Sequence, residues 1–327
     1  MTDTDQIQFR PITRAFFQKE WQDGFDIFYA VPQDKNNQFL KFARFDPLDF
    51  ARLEMILNEK QHETFYIKEQ DLYNYYRFTV LKKLILGLGH DKPPAEVVRR
   101  VYPVATRILQ DYLEIPASDT FLLLLNDIPG LLAEAVKHQN LPFGELFQII
   151  QKDNRTHVHC VNVGMYCLNF GRELGMNSGE LTEICLGGML ADIGKKFIPR
   201  DILFKESQLS NEDVRTIRRH PALGRRALSN LKHYSNTVLR MTGEHHENFD
   251  GTGYPLGFSG KQILPAARIC KIMDVFNALT SRRPYSESLT AIQALTLMKN
   301  EMAGQFDPQL LTEFILFTAK EAAKRRS

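Results

Sequence analysis

The sequence predicts an α+β N-terminal domain followed by an all-α helical bundle. Three observations carry that expectation. Short aromatic and β-branched runs, separated by turn residues, are confined to the part before Asp71. From Asp71 onward apolar residues recur at helical spacing. In the second half, histidines and carboxylates gather at the ends of the helical segments.

The composition sets the frame. A chain of 327 residues, 43% hydrophobic and 24% charged, has room for two domains and enough apolar residues for a core. A net charge of +2 argues against a global attraction to nucleic acid or membrane, so no DNA or RNA partner is expected. Lys324-Arg325-Arg326 reads as a solvated tail. Cys160, Cys167, Cys185 and Cys270 form no C-x-x-C pair and lie in apolar, helix-like sequence. They read as buried free thiols of a reducing cytoplasm. Met1-Thr2-Asp3-Thr4-Asp5 lacks the features of a signal peptide. Phe121 to Leu125 is stopped by Asn126 and Asp127, too soon to span a membrane. A cytoplasmic protein without a membrane span is expected.

Taken in order, Phe25 to Ala30 and Phe39 to Phe45 read as a hairpin around Pro32-Gln33-Asp34-Lys35-Asn36-Asn37. Asp49 caps a helix carrying Leu53, Ile56 and Leu57, and Thr64 to Ile67 is another strand. Leu72, Tyr75, Tyr76, Thr79, Val80, Leu84 and Leu88 keep helical spacing. Residues 1–88 therefore form a small α+β domain with no catalytic cluster, read as a regulatory or partner-binding module or as a plain structural extension; His62 in it is a surface residue. After the break at Pro93-Pro94, helical segments over Ala95 to Leu113, Asp119 to Leu125 and Ile128 to His138 make 89–150 a helical connector.

The chemistry lies in 151–320. Asp153 to Gly175 reads as a long helix after its opening residues, with His159, Val163, Tyr166, Phe170 and Leu174 roughly on one face. His157 and His159 point in different directions on it. The apolar helix Leu181 to Leu190 ends in Ala191-Asp192-Ile193-Gly194-Lys195. Asp192 there is either part of a polar cluster closing a helix, with Gly194 permitting the turn, or a metal-bridging carboxylate with Lys195 reaching a phosphate oxygen. Ser210 and Asp213 form a capping-box-like start for a helix running to His220-Pro221. His220 is a helix-closing residue or a ligand.

A further helix, Ser235 to His245, delivers His245-His246 at its end, where adjacent imidazoles can converge on an ion. Glu247 follows, and then the run Asp250-Gly251-Thr252-Gly253-Tyr254-Pro255, whose backbone N–H groups suit an anion. Pro265 opens the next helix, in which an internal Asp274 needs a reason; a metal site and a surface orientation are the two available. Arg282-Arg283 at its end can grip phosphate.

Placed together, these pieces resemble the HD-GYP family, a branch of the HD-domain metal-dependent phosphohydrolases. The resemblance covers roughly residues 151–317. It rests on Asp153, Thr156 and His159; Ala191-Asp192-Ile193-Gly194-Lys195; His220-Pro221; His245-His246-Glu247 with the loop to Pro255; Arg268-Ile269, Asp274, Thr280 to Tyr285; and Phe306-Asp307-Pro308.

It implies an HD-type helical bundle with one or two divalent ions, iron, manganese and zinc not being distinguished. The implied ligands are His159, Asp192, His220, His245, His246 and Asp274. Asp192 and Lys195 are the implied catalytic residues, and Lys195, Gly253, Tyr254, Pro255 and Arg283 the substrate-binding ones. The implied substrate is a cyclic dinucleotide, cyclic di-GMP first. The N-terminal domain lies outside the resemblance, and a protein signalling partner there is an expectation of its own.

Ala191 stands where the family has the histidine of its name-giving pair, Ser286 stands for a basic residue, and Asn277 for an Asp. These departures predict a degenerate member with reduced or absent hydrolysis that serves as a nucleotide receptor. An active phosphodiesterase or other phosphohydrolase that tolerates Ala191, and a non-catalytic protein-interaction module, are the alternatives.

Overall fold

The computed structural model describes residues 8–13, 25–33, 36–45, 64–88, 92–115, 119–150, 153, 155–282 and 288–324. The expected helix after Asp49, His62, the centre of the hairpin loop, Arg283 and Ser286 lie outside them. The chain divides into two compact units, Met1–Gly89 and His90–Ser327. An α+β unit is followed by an all-α one, the order of classes that the patterning predicts.

The first unit is a four-stranded antiparallel sheet of β1 (Phe9–Thr13), β2 (Phe25–Gln33), β3 (Asn36–Phe45) and β4 (Thr64–Lys68), in the order β1-β4-β2-β3. Alternation is clean on β4, where Phe65 and Ile67 are buried. On β2 the register shifts between Ile27 and Phe28. That irregularity breaks the alternation, and both residues are buried. A helical stretch over 72–88, designated α1, contains a wide turn at Tyr76–Leu81 and buries Leu72, Tyr75, Val80, Leu84 and Leu88.

β1 escapes the sequence patterning. It is five residues long, contains Pro11, and among the described residues pairs only with β4, at the edge of the sheet. An edge is where a strand tolerates proline. The hairpin strands also extend further than expected, β2 to Gln33 and β3 back to Asn36.

The second unit begins with α2 (Pro94–Glu114), α3 (Asp127–His138) and α4 (Phe143–Ile149). The helices α5 (Thr156–Glu173), α6 (Ser178–Leu190), α7 (Asn211–Ile217), α8 (His220–Leu231), α9 (Asn236–Glu244) and α10 (Pro265–Thr280) follow. α11 (Ala291–Asn300) and α12 (Pro308–Lys324) close it. Among the described residues no helix is long and apolar enough to cross a membrane.

α6 is the axis of this unit. Its residues from Ile184 to Leu190 are all buried, as a helix apolar on every side requires. It starts on a capping box in which Asn177 accepts from Glu180 N and Glu180 reaches back to Asn177 N. α5 crosses it at Gly164 and Gly188, where a Cβ on Gly188 would lie 2.8 Å from the Gly164 Cα. The crossing brings the start of α5, with His159, close to the end of α6, with Asp192. On the far side Phe143, Tyr166, Phe170, Phe276 and Phe314 interlock, with centroids such as Phe276–Phe314 at 5.2 Å. This cluster holds α4, α5, α10 and α12 together.

The turn after α6 is equally tight. A Cβ on Gly194 would collide with the His220 carbonyl and lie 2.6 Å from the Gly224 amide nitrogen. Backbone has little freedom to yield, so Gly194→Ala is expected to lower stability by about 1–3 kcal/mol and to displace His220. Gly187→Ala meets the flexible side chain of Met241 instead, and a smaller loss is expected. Thermal denaturation of the two variants tests the ordering; equal losses would refute it.

Candidate metal centre

Asp192, 2% exposed, sits just past the end of α6 with its two carboxylate oxygens facing different neighbours. Oδ2 accepts from Lys195 Nζ at 2.6 Å and lies 3.5 Å from His159 Nε2. Oδ1 lies 3.0 Å from His220 Nε2 and 3.7 Å from His245 Nε2. His220 opens α8 rather than closing the helix before it, and its Nδ1–H donates to the Ile217 carbonyl at 2.8 Å. His245 caps α9 and donates Nδ1–H to the Thr242 carbonyl at 3.0 Å.

Those two backbone carbonyls fix the tautomers. A carbonyl only accepts, so each neutral ring carries its proton on Nδ1 and presents a bare Nε2 lone pair. The two Nε2 atoms face each other at 3.3 Å, beside an Asp192 Oδ1 that has no hydrogen-bond partner. Converging lone pairs without protons between them repel, and a cation relieves the repulsion. Imidazole nitrogens and carboxylate oxygens suit a divalent ion, and outer carbonyls orienting the rings are the usual support for one.

The ligand atoms close into two groups that share Asp192. Asp192, His220, His245 and His246 form one; His159, Asp192 and Asp274 form the other, with all ligand atoms in each within 4.8 Å of one another. In the second group His159 Nε2 is 2.8 Å from Asp274 Oδ1. Behind it, Tyr102 Oη donates to Asn162 Oδ1 at 2.7 Å, Asn162 Nδ2 to Asn277 Oδ1 at 3.1 Å, and Asn277 Nδ2 to His159 Nδ1 at 2.7 Å. With Nδ1 accepting, the Nε2 proton points at Asp274, and an ion entering this group displaces it.

The degenerate site expected from Ala191-Asp192 in place of His-Asp is therefore corrected. Ala191 brings no donor, yet the His/Asp cluster is intact: three donors still close one group and four the other. Asp192 is placed by the α6 axis and the Gly194 turn. The cluster is built to hold divalent metal. His157 is buried but turns away, lining a neighbouring cavity of about 400 Å³ with Arg155, Lys196 and Phe204. Arg155 is ion-paired with Asp153 at 2.7 Å.

The groups open onto a cavity of about 830 Å³, lined by His159, Lys195, Lys205, His246, Lys271 and Asp274 among others. Tyr254 stacks on His246, with centroids 4.8 Å apart and planes at 23°, and Arg218 lies 5.1 Å from its ring centre. Pro255 lines a separate cavity of about 310 Å³. Gly253 lies against the backbone, where a Cβ would come within 2.5 Å of the Glu247 Cα. Glu247 is no ligand: it accepts from the Leu256 and Phe258 amides at 2.6 and 3.0 Å and so pins the loop. Lys271 lines the cavity without having been signalled by any motif; only its position three residues before Asp274 on an apolar helix hinted at it.

Burial pushes Asp192 up, but the Lys195 ammonium beside it outweighs that and holds the carboxyl well below the ordinary range. Burial likewise raises Asp274, and the His159 hydrogen bond overcomes it. Burial drives His157, His220 and His246 below the ordinary imidazole value of 6.5.

Residues 137–310 match the model of the HD domain family. Over 188 residues the chain is 36% identical to a cyclic di-GMP phosphodiesterase of Pseudomonas aeruginosa, covering 58% of this chain and 45% of that protein. Over 160 residues it is 36% identical to 3'3'-cGAMP-specific phosphodiesterase 1 of Vibrio cholerae, covering 49% of this chain and 37% of that protein. The chain thus matches less than half the length of either relative. The fold is similar to a solved HDG"Y"P protein from Bdellovibrio bacteriovorus, with TM-score 0.61, 18% identity, and coverage of 95% of this chain and 99% of that one.

Two outcomes are expected. Asp192→Ala strips metal from both groups, whereas Asp274→Ala removes only the share held with His159; metal analysis by mass spectrometry reads the difference, and equal losses would refute the shared carboxylate. In the metal-free protein, the depressed histidines bind fewer protons folded than unfolded. Their contribution is therefore present above pH 6.5 and lost as pH falls through their folded values. Asp192 and Asp274, held below 3.8, stay ionised throughout that window. The melting temperature should fall between about pH 7.5 and 5.5, and a flat profile would count against this assignment.

Proposed function

The chain belongs to the HD domain family, and from that premise we propose that it is an active metal-dependent phosphodiesterase of cyclic dinucleotides acting in cytoplasmic signalling. The observation that carries this reading is the division of one buried carboxylate between two groups of metal ligands. The curated relatives support the substrate class, cyclic di-GMP and 3'3'-cGAMP alike. The four free, buried cysteines suit a reducing compartment.

Within this reading His220, His245, His246 and Asp192 hold one divalent ion, and His159, Asp192 and Asp274 another. The chemistry such ions supply is neutralisation of phosphoryl charge and acidification of a water. In the reaction the oxygen of water bonds to phosphorus as the bond from phosphorus to the ribose oxygen breaks, and the proton that the water gives up ends on that ribose oxygen. The protein's contributions are positional. The Ile217 and Thr242 carbonyls keep the His220 and His245 lone pairs aimed inward. Lys195, held at Asp192, places a positive charge beside the reacting phosphoryl group. Tyr254 contributes through its stack on His246, Gly253 and Pro255 join it in binding the nucleotide, and Arg283 grips phosphate. Residues 1–88 act as the regulatory module, 89–150 as the connector and 151–320 as the metal-binding domain, with a protein partner at the first.

The test is incubation of protein loaded with manganese or ferrous ion with cyclic di-GMP and with 3'3'-cGAMP, followed by chromatography of the linear products. Turnover is expected, and Asp192→Ala should reduce it by roughly 10²–10³-fold or more. A protein that carries both ions yet cuts neither nucleotide would sink the reading.

A further inference from the structure

Three lysines line the 830 Å³ cavity, and two of them are already engaged. Lys195 donates to Asp192 and Lys205 to Asp213, both at 2.6 Å. Lys271, on α10, is only 8% exposed and has neither an ion pair nor a side-chain hydrogen bond among the described residues. The side chain is enclosed while its ammonium keeps access to the cavity, and its helix neighbours Cys270, Ile272 and Met273 are apolar and fully buried.

The carboxylates that act on Lys271, Asp274, Asp250 and Glu247, have other duties. Asp274, one turn along α10, is bonded to His159 at 2.8 Å. Asp250, from the glycine-rich loop, accepts from the Thr252 amide and hydroxyl at 2.9 and 2.6 Å. Glu247 accepts the two loop amides described above. Burial lowers the ammonium's pKa, while Asp274 and Asp250 work to keep it charged. The result is a cation with its donors free in the cavity that His159, His246 and Asp274 also line.

We infer that Lys271 is an anion-binding residue of this cavity and takes a phosphate oxygen of the nucleotide. An ammonium is a compact charge with three donors, well matched to a phosphate oxygen. The inference rests on the proposed substrate class, but its anion chemistry can be tested separately.

The experiment uses the full, metal-loaded chain as wild type, Lys271→Met and Lys271→Arg, with metal content measured for each. Inorganic phosphate and cyclic di-GMP are the probes, and calorimetry reads their binding. Lys271→Met is expected to weaken both by about tenfold or more at unchanged metal content, with Lys271→Arg recovering most of the loss. Equal affinities in wild type and Lys271→Met overturn the inference and leave the phosphodiesterase reading intact. Equal loss in Lys271→Met and Lys271→Arg also overturns it, because packing rather than charge is then responsible, as does a wild type that binds no phosphate. Lys271-dependent phosphate binding by a protein that neither binds nor cuts a cyclic dinucleotide upholds the anion site and removes the nucleotide reading.

Discussion

A carboxylate 2% exposed, shared by imidazoles from the start of α5, the start of α8 and the end of α9, dictates where those three segments lie. Such a group is expensive to bury unless every lone pair is answered. Lys195 answers one oxygen of Asp192. The other oxygen faces two nitrogens whose protons are held elsewhere by backbone carbonyls. The glycines at 164, 188 and 194 bring the backbones near enough for this convergence, so the helix packing and the chemistry obey one geometric requirement.

Much of this was legible in the chain. The change from strand-like runs to helical spacing marked the order of structural classes, and the histidines and acids at helix ends marked the candidate ligands. Other features were hidden for identifiable reasons. β1 is short, carries a proline and owes its existence to pairing with β4, which local patterning does not register. The Gly164–Gly188 crossing is a relation between two helices, and each glycine alone looks like a weakness in its own helix. Lys271 has no motif around it; its interest comes from the cavity it lines and from the prior engagement of Lys195 and Lys205.

The reading of Ala191 shows the same distinction from the other side. Counting donors along the sequence gives a loss at 191 and suggests a broken site. Three-dimensional closure depends instead on whether the remaining donors meet, and they do, within 4.8 Å in each group. Glu247 makes the converse point. Adjacent to His245 and His246 and acidic, it looks like a ligand, but its carboxylate is spent on the Leu256 and Phe258 amides. Three consecutive polar residues thus divide into ligand-set members and a loop anchor, because the chain leaves regular helix at Glu244.

The two groups are not equivalent in their protons. Around His220 and His245 the outward carbonyls have already drawn both protons to Nδ1, so the inward face is ready for a cation. Around His159 the chain Tyr102–Asn162–Asn277 runs the opposite way and ends by donating to Nδ1. A ring so held presents N–H to Asp274, and metal entry must expel that proton or reverse the amides behind it. An aspartate at 277 would only accept and would leave Nε2 bare; Asn277 can donate, and it has Asn162 to hold its other end. The two groups share Asp192, so charge taken up by one reduces what the other can offer. The two groups are therefore coupled through one carboxylate, and they differ in which ring nitrogen their hydrogen-bond partners leave facing inward.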